Sequence, residues 1–386
     1  MRIAILGLGS IGRRHLANVR RLMPHAELVG IDPSLSARKW AMTAGATEVF
    51  ETLEPALATE PDAAMVCSPT GLHAEQLRAC VVRTIPAYVE KPIAARLTPN
   101  LVETLRQADA VGCPVVVAAN LRYAPGAALL SQRVEDGQYG RLVGLYAHAG
   151  AYLPGWKPNR ELRDYRDSYS ASAQEGGAMR DFAHEFDLLR WWGGSVRAVT
   201  ASVRRASDLE IMAEDVADIL LEFESGASGT LHVDYLERCP RRFIQLLFTD
   251  GGAVWDLTSQ RVEVVDAAGR PATALDMPRY DLDECYTEGF AGFLRAIACP
   301  GEDRRVQTGW DGAEALAVID AARESAERRG RVEVGEIRRR CGLGRNSEFR
   351  IQDSETGVSV HERSQALLAR AGRVIPSATQ TLSKGL

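Results

Sequence analysis

The chain of 386 residues lacks the features that mark several large classes of protein. Its seven cysteines are scattered without a CxxC pair, which argues against a disulfide framework or a zinc site and favours a reducing compartment. No run approaches the ~20 apolar residues of a transmembrane helix, and the first residues lack the cleavage site of a signal peptide. The net charge of −5 provides no basic surface for a nucleic-acid backbone. We therefore expect a cytoplasmic, soluble protein that binds neither nucleic acid nor a membrane.

The residues that are present are typical of a globular protein with more than one domain. Hydrophobic residues make up 46% of the chain, and 386 residues exceed what one core usually serves. Over residues 1–120, apolar runs alternate with segments of helical periodicity, which predicts an α/β domain with a doubly wound parallel sheet. The predicted strands are Ile3–Leu6, Leu28–Ile31, Ala64–Cys67, Ala87–Val89 and Val115–Ala118, and the predicted helices are Ile11–Leu22, Ser36–Ala44, His73–Val82 and Asn100–Ala110.

After Pro125 the pattern changes to longer β-rich stretches with few helices. Residues 121–335 are predicted to form an α+β substrate domain with a large, mostly antiparallel open sheet, and residues 179–192 one of its helices. An open sheet of this size needs a cover on its second face, so we expect a homo-oligomer, either a dimer or a tetramer. Residues 336–386 are polar and weakly patterned, and we predict a tail with one helix candidate at Val360–Ala371.

A glycine-rich turn follows the first predicted strand and opens the first helix. Its glycines are Gly7, Gly9 and Gly12, and Asp32 follows at the end of the second strand. In this context the string predicts a Rossmann dinucleotide-binding domain, with a pyrophosphate at the helix N-terminus beside Ser10 and Ile11 and the ribose hydroxyls on Asp32. The alternative is a structural turn. We predict NAD as the cofactor, with NADP as the alternative because Arg38 follows closely.

Several further strings occur in order along the chain: Gly7–His15, Ser68-Pro69-Thr70 with His73, Glu90-Lys91-Pro92, Asn120–Pro125, Gly176-Gly177 and Asp181–Asp187. Together they resemble those of the glucose–fructose oxidoreductase/inositol dehydrogenase (Gfo/Idh/MocA) family. The resemblance implies a Rossmann domain followed by an open-faced domain, with substrate between them. It also implies that Ser68, Pro69, Thr70, His73, Glu90 and Lys91 border the cofactor. The form of residues 152–171 is similar to that of members found with bacterial surface-polysaccharide sugar synthesis.

Alcohol oxidation with a nicotinamide cofactor needs a base for the hydroxyl proton and a charge that stabilises the reacting oxygen. Lys91 fits the family's EKP lysine, and His184 is the preferred general acid/base, with Asp181 beside it. If the segment is one helix, Asp181, His184 and Asp187 share a face. The alternatives are a surface lysine, a core histidine satisfied by Asp187 and a helix cap at Asp181. Inositol dehydrogenase-like members of the family space the acid and the histidine by four residues, whereas here the spacing is three, which puts the role of Asp181 in doubt.

Substrate specificity is expected from the segment 152–173, which is rich in aromatic and basic residues. Aromatic rings stack on sugar faces, and arginine reads carboxylates or phosphates. The alternative is a loop that packs its own aromatics. The predicted substrate contacts are Lys91, Arg122, Tyr123, Trp156, Tyr165, Arg166, Asp181 and His184.

These features predict an NAD(P)-dependent oxidoreductase acting on a secondary alcohol or ketone of a sugar, nucleotide-sugar or polyol. The alternatives are a glycosidase or epimerase that retains its NAD, and a non-catalytic NAD-binding sensor. No metal-ligand cluster is evident, so no metal is predicted.

The C-terminal stretch resembles the start of a glutamate-1-semialdehyde-type aminotransferase, in His361–Arg370, Val374–Pro376 and Thr379–Lys384. That stretch is either a truncated fusion or a chance-similar amphipathic helix.

Overall fold

The computed structural model describes residues 1–156, 164–276 and 280–344. The predicted helix Val360–Ala371 and the aminotransferase-like stretch lie outside the described residues. Within them, no helix is long and apolar enough to cross a membrane.

The described residues form strands and helices that alternate in the first third and become β-rich afterwards. The strands are β1 (Arg2–Leu6), β2 (Glu27–Ile31), β3 (Glu48–Phe50), β4 (Ala63–Val66), β5 (Ala87–Val89), β6 (Val115–Val117), β7 (Leu142–Gly150), β8 (Val196–Arg204), β9 (Val216–Phe223), β10 (Ser228–Asp234), β11 (Arg241–Phe248), β12 (Gly251–Asp256), β13 (Arg261–Asp266), β14 (Pro271–Asp276), β15 (Gln307–Thr308) and β16 (Val332–Glu333). The α-helices are α1 (Ser10–Leu22), α2 (Leu35–Thr43), α3 (Leu53–Leu57), α4 (His73–Val81), α5 (Pro99–Ala110), α6 (Pro125–Glu135), α7 (Ala178–Asp181), α8 (Ala183–Gly193), α9 (Leu282–Ala298), α10 (Gly309–Arg328) and α11 (Val334–Cys341).

The first sheet confirms the predicted Rossmann domain. Its strand order is β15-β6-β5-β4-β1-β2-β3, and β1 to β6 are parallel. Along β1, Ile3 and Ile5 pack in one apolar cluster while Ala4 and Leu6 pack in another, so the sheet is covered on both faces. The sequence pattern missed β3, which has no fully buried residue and no apolar run, and the five-residue α3, which is too short to show a helical periodicity.

The second sheet has the order β14-β13-β12-β11-β7-β10-β9-β8-β16, and its pairings are antiparallel except β7 with β10. This confirms the predicted large, mostly antiparallel sheet. Its inner face packs against α8 and α10. On the outer face Tyr146 is 39% and Leu220 56% exposed.

Three elements lie elsewhere than the predicted domain division places them. Strand β15 pairs with β6 and extends the first sheet, and α9 packs against α1. Helix α11 lies within the predicted tail, yet its Ile337 is buried and its buried Arg338 pairs with Glu314 at 2.7 Å. The packed part of the chain therefore continues past residue 335. The sequence did not indicate this, because Arg338 is a charged residue whose buried partner in α10 is distant in the chain.

Candidate active site

The glycine-rich turn combines two crowded glycines with an open one. Gly7 has a φ of +93°, and a Cβ there would lie 2.7 Å from the backbone of Ser68. A Cβ at Gly12 would lie 1.9 Å from the carbonyl oxygen of Gly7, whereas a Cβ at Gly9 would meet no protein atom within 4 Å. Gly9 also precedes α1 and offers no side-chain cap. Its open space therefore adjoins unpaired N–H groups and fits a pyrophosphate.

Asp32 lies beside this turn with spare hydrogen-bonding capacity. Its Oδ2 accepts from Leu8 N and its Oδ1 accepts from Ser34 N, both at 2.8 Å. A carboxylate has about four acceptor positions, so two remain for ribose hydroxyls. Arg38 donates to the carbonyl oxygens of Asp32 and Pro33 at 2.7 and 2.9 Å. A third bond joins Arg38 Nη2 to the exposed Glu51 at 3.0 Å.

The loop after β4 carries Ser68, Pro69 and Thr70, and His73 supports it from beneath. The His73 ring is 1% exposed, and its nitrogens lie 2.9 Å from the carbonyl oxygens of Pro92 and Ser68. Burial lowers the pKa of His73 below its ordinary value. His73 thus ties the loops after β4 and β5 together, and we assign it a positioning role rather than a direct cofactor contact.

Glu90 and Lys91 follow β5 at the carboxyl edge of the sheet. The buried Glu90 carboxylate accepts from His15 Nε2 at 2.6 Å, so Glu90 is held by α1. Lys91 Nζ donates to the carbonyl oxygen of Asp181 at 2.6 Å. Lys91 of the first domain therefore reaches the active-site segment of the second.

That segment is two helices, not the single helix that the sequence predicted. Helix α7 ends at Asp181 and α8 begins at Ala183, with Phe182 between them. Asp181 Oδ2 accepts from Tyr235 Oη at 2.6 Å. Burial and the Asp181 carboxylate raise the pKa of Tyr235, and the same carboxylate raises that of Tyr169. Because the helix breaks, Asp181 and Asp187 serve different networks.

His184 is buried beside two cations. Desolvation, then Lys91 and Arg242, lower its pKa well below 6.5. Among the described residues no hydrogen bond to the ring is found, so it is not a core histidine satisfied by Asp187. A neutral imidazole with a free nitrogen is able to accept a proton.

Arg122 and Tyr123, predicted as pocket residues, are structural instead. Arg122 is 2% exposed and makes a two-pronged pair with Asp187, with Nε at 2.8 Å and Nη2 at 2.6 Å. Gln307 also donates to Asp187 at 2.7 Å. Tyr123 packs against α9 and lies under Arg305 at 4.8 Å. Asp187 is the carboxylate partner that a buried guanidinium needs, and Arg122 Nη1 also donates to the Val306 carbonyl oxygen at 3.3 Å.

Of the residues predicted to contact substrate in the segment 152–173, one lies at the site and two lie away from it. Trp156 packs edge-on against Phe182 and Tyr235, at 6.0 and 5.5 Å between ring centroids, and so reaches the site. Tyr165 accepts from Glu210 N at 3.2 Å, and Arg166 pairs with Asp164 at an exposed position. In the described part of the chain, Tyr165 and Arg166 thus bind residues close to each other rather than Lys91 or His184.

Two site residues escaped sequence reasoning. Tyr235 follows β10 and Arg242 lies in β11, far in sequence from the histidine. Arg242 Nε donates at 2.6 Å to Glu185, which is fully buried. The available signal was Glu185 itself, a charged residue within an apolar helix that required a cationic partner.

The site thus places a lysine and a neutral histidine at the carboxyl edge of a dinucleotide-binding sheet, where open α/β sheets bind ligands. This combination defines a nicotinamide-dependent oxidoreductase. Residues 1–118 match the family model described as oxidoreductase family, NAD-binding Rossmann fold. Residues 127–254 match the GFO/IDH/MocA C-terminal domain. The chain belongs to the GFO/IDH/MocA oxidoreductase family, which confirms the predicted NAD-dependent dehydrogenase.

Individual relatives extend over nearly the whole described chain. A myo-inositol 2-dehydrogenase of Thermotoga maritima is 27% identical over 355 residues, covering 87% of this chain and 99% of its own. A solved oxidoreductase from Agrobacterium radiobacter, in complex with NAD+, L-tartaric acid and magnesium, has a TM-score of 0.76 at 20% identity, covering 87% and 99%. The WlbA dehydrogenase from Bordetella pertussis, in complex with NADH and UDP-GlcNAcA, has a TM-score of 0.71 at 22% identity, covering 86% and 98%.

Proposed function

We propose that this enzyme interconverts a secondary alcohol and a ketone on a sugar, nucleotide-sugar or polyol. The observation that carries the proposal is the meeting of Lys91 with the Asp181–His184 segment, 2.6 Å from Lys91 Nζ to the Asp181 carbonyl oxygen. NAD, when bound, supplies the hydride acceptor or donor. The relatives named for myo-inositol and for UDP-GlcNAcA act on or bind molecules of this class.

Lys91 and His184 take complementary roles in this proposal. The Lys91 ammonium donates a hydrogen bond to the reacting oxygen and stabilises negative charge on it. The neutral His184 ring accepts the hydroxyl proton during oxidation and returns it during reduction. Asp181, held by Tyr235, orients the substrate beside them.

The cofactor preference is proposed to be NAD over NADP. Asp32 retains acceptor positions for ribose hydroxyls, and its charge repels a 2′-phosphate. We expect Asp32→Asn to lower the ratio of kcat/KM with NAD to kcat/KM with NADP. An unchanged ratio would remove Asp32 from cofactor selection. Glu54→Gln, an acidic-to-amide change in α3, is the matched control.

A place in surface-polysaccharide sugar synthesis is the finer form of the proposal, supported by the similarity of residues 152–171 to members with that role. It predicts that nucleotide-linked sugars outperform free sugars and inositols as substrates. A preference for free inositol would contradict the finer form while leaving the dehydrogenase in place.

The test is a cofactor-reduction assay with NAD and NADP against free sugars, inositols and nucleotide-sugars. Wild type, Lys91→Ala, His184→Ala and the surface control Lys39→Ala are compared, with cofactor binding measured for each. Turnover by wild type and Lys39→Ala alone, with binding retained by all, supports the proposal. Product formation without net reduction of NAD indicates an epimerase or glycosidase that retains the cofactor. Binding indifferent to Lys91 and His184, without turnover, indicates a sensor.

We also propose that a second copy of the chain covers the outer face of the second sheet, giving a dimer or tetramer. The inner face is filled by α8 and α10, whereas Leu220 and Tyr146 stand exposed on the outer one. Light scattering should report an oligomer for wild type and for Leu35→Glu, an exposed change in α2, and a smaller species for Leu220→Glu. A monomeric wild type would refute this arrangement.

A further inference from the structure

A group of metal-ligating side chains lies on the outer face of the second sheet. His148 belongs to β7, His232 and Asp234 belong to β10, and the parallel register sets His232 beside His148. The ligand atoms of these three residues all lie within 4.8 Å of one another. Tyr235, the next residue in the chain, contacts Asp181 instead, so this cluster is distinct from the active site.

Neighbouring side chains hold both histidines: a carboxylate supports His232, as is usual for a metal ligand, and aromatic rings stack on His148. Asp218 of β9 accepts from His232 Nδ1 at 2.6 Å, which leaves Nε2 facing Asp234 Oδ2 at 3.1 Å. Carboxylate support of this kind fixes the ring and increases its basicity as a ligand. The His148 ring stacks between His232 and Phe243, with centroid distances of 4.8 and 5.4 Å. Both imidazoles are therefore held in place before any ion binds.

Glu237, which follows β10, contacts His148 and is the candidate for a fourth ligand. His148 Nε2 lies 3.0 Å from Glu237 Oε1, and Glu237 Oε2 is buried with no hydrogen-bond partner among the described residues. Leaving such an oxygen unpaired costs about 1–3 kcal/mol. A bound cation would satisfy that atom.

Gly150 makes room for both carboxylates. A Cβ at this position would lie 2.3 Å from Asp234 Oδ2 and 2.8 Å from the Glu237 carboxyl carbon. Asp234 is 3% exposed, so its charge sits in a largely dry position. The space that a side chain would fill at Gly150 is thus occupied by the acids that face the histidines.

We propose that His148, His232, Asp234 and Glu237 form a structural site for a divalent transition metal of the zinc class. Two imidazoles and two carboxylates suit zinc, whereas magnesium and calcium prefer oxygen ligands throughout. Ligands at 2.0–2.2 Å from zinc lie about 3.3 Å apart in a tetrahedron. The His232–Asp234 and His148–Glu237 atom pairs lie 3.1 and 3.0 Å apart, and the ligand atoms of His148, His232 and Asp234 all lie within 4.8 Å of one another. Sequence reasoning found no site because the histidines lie on different strands, far apart in the chain.

The charged groups around the cluster define the competing arrangement. Arg204 pairs with Asp218 at 2.9 Å, and Arg241 lies across Gly150 from Asp234 in the sheet register. Without a metal, a protonated His232 bridges Asp218 and Asp234 as a plain ion-pair network. Zinc binding therefore distinguishes the proposed metal site from the metal-free ion-pair network.

Zinc titration of the chelator-treated full chain, in competition with a chromophoric chelator, separates them. We expect one zinc per chain, at least a 100-fold loss of affinity in His148→Ala and His232→Ala, and about a 10–100-fold loss in Asp218→Asn. His25→Ala and Cys239→Ser, both at exposed positions, should bind as wild type does. Failure of wild type to bind zinc, or loss of binding in Cys239→Ser alone, overturns the proposal.

A second measurement avoids dependence on variants. Crystals of wild type grown with zinc should show an anomalous peak at the zinc edge between His148 and His232. A peak elsewhere, or none in the cluster at full zinc occupancy in solution, overturns the site. Retention of oxidoreductase activity after zinc removal is expected, because the cluster lies apart from the catalytic residues.

Discussion

The two halves of the active site are built in different ways. In the first domain, Gly7, Gly9, Gly12 and Asp32 lie within one βαβ unit, and the backbone itself forms the cofactor turn. In the second domain, the site is assembled from α7, α8, β10 and β11, through side chains that meet only after the sheet has formed. The cofactor half is therefore a local property of the sequence, whereas the substrate half depends on long-range packing. Substitutions in the two halves should therefore affect stability and activity in different ways.

The largest expected effect on stability comes from the buried Arg122–Asp187 pair. Arg122→Met should reduce the free energy of unfolding by about 3–5 kcal/mol, because it leaves Asp187 as a buried, unpaired charge. Denaturant unfolding measures this. Arg166→Met, at an exposed ion pair, is the control and should leave stability unchanged.

The double variant Arg122→Met/Asp187→Leu should recover most of the lost stability, because both charges are gone. A single Arg122→Met protein as stable as wild type would show that this pair does not organise the second half of the site.

The glycine turn offers a sharper comparison. Gly12→Ala should destabilise the chain by about 1–3 kcal/mol, because the Cβ meets the Gly7 carbonyl oxygen. Gly9→Ala should leave unfolding within about 0.5 kcal/mol of wild type, since nothing in the protein obstructs it, and should raise KM for NAD. Thermal unfolding and cofactor titration measure the two. If both variants changed NAD binding and stability equally, Gly12 would not have a mainly structural role and Gly9 a mainly cofactor-binding one.

The third prediction concerns the pH dependence of alcohol oxidation. The proposed base, His184, accepts a proton only when its ring is neutral, so kcat/KM should fall as the pH drops through its pKa. Burial, Lys91 and Arg242 lower that pKa, so the fall should lie below pH 6.5. Arg242→Gln removes a positive charge, raises the pKa of His184 and should shift the fall to higher pH.

The control for that shift is Arg241→Gln, the neighbouring arginine, whose pH profile should match wild type. A profile in Arg242→Gln that moves to lower pH would exclude His184 as the titrating base.

The smallest effect is expected from Tyr235→Phe, which removes one hydrogen bond to Asp181. A loss of about 0.5–1.5 kcal/mol corresponds to roughly a 2–13-fold fall in kcat/KM. Steady-state kinetics with NAD binding as the reference measures it. A fall confined to NAD affinity would place Tyr235 outside the substrate half.

The sequence predicted the first domain well because parallel strands and their glycine turn leave local signals. The apolar run of β1, the amphipathic α1 and the Asp32 position are each visible within a few residues. The segment 179–192 was predicted less well, since helical periodicity continued across Phe182 although the backbone breaks there. Arg122 lies in a buried ion pair, which its sequence position beside the last Rossmann strand could not distinguish from a place in the pocket.

By itself, the sequence determined the Rossmann domain, the mainly antiparallel second sheet and the use of a nicotinamide cofactor, and it led to Lys91 and His184 as the proposed catalytic residues. The physical reason is that hydrophobic periodicity and glycine backbone freedom act over short distances in the chain. Only the tertiary structure decided that Asp187 serves Arg122, that Tyr235 and Arg242 border the site, and that His148 meets His232. Those relations depend on strand order and register, which bring together residues that no local pattern connects.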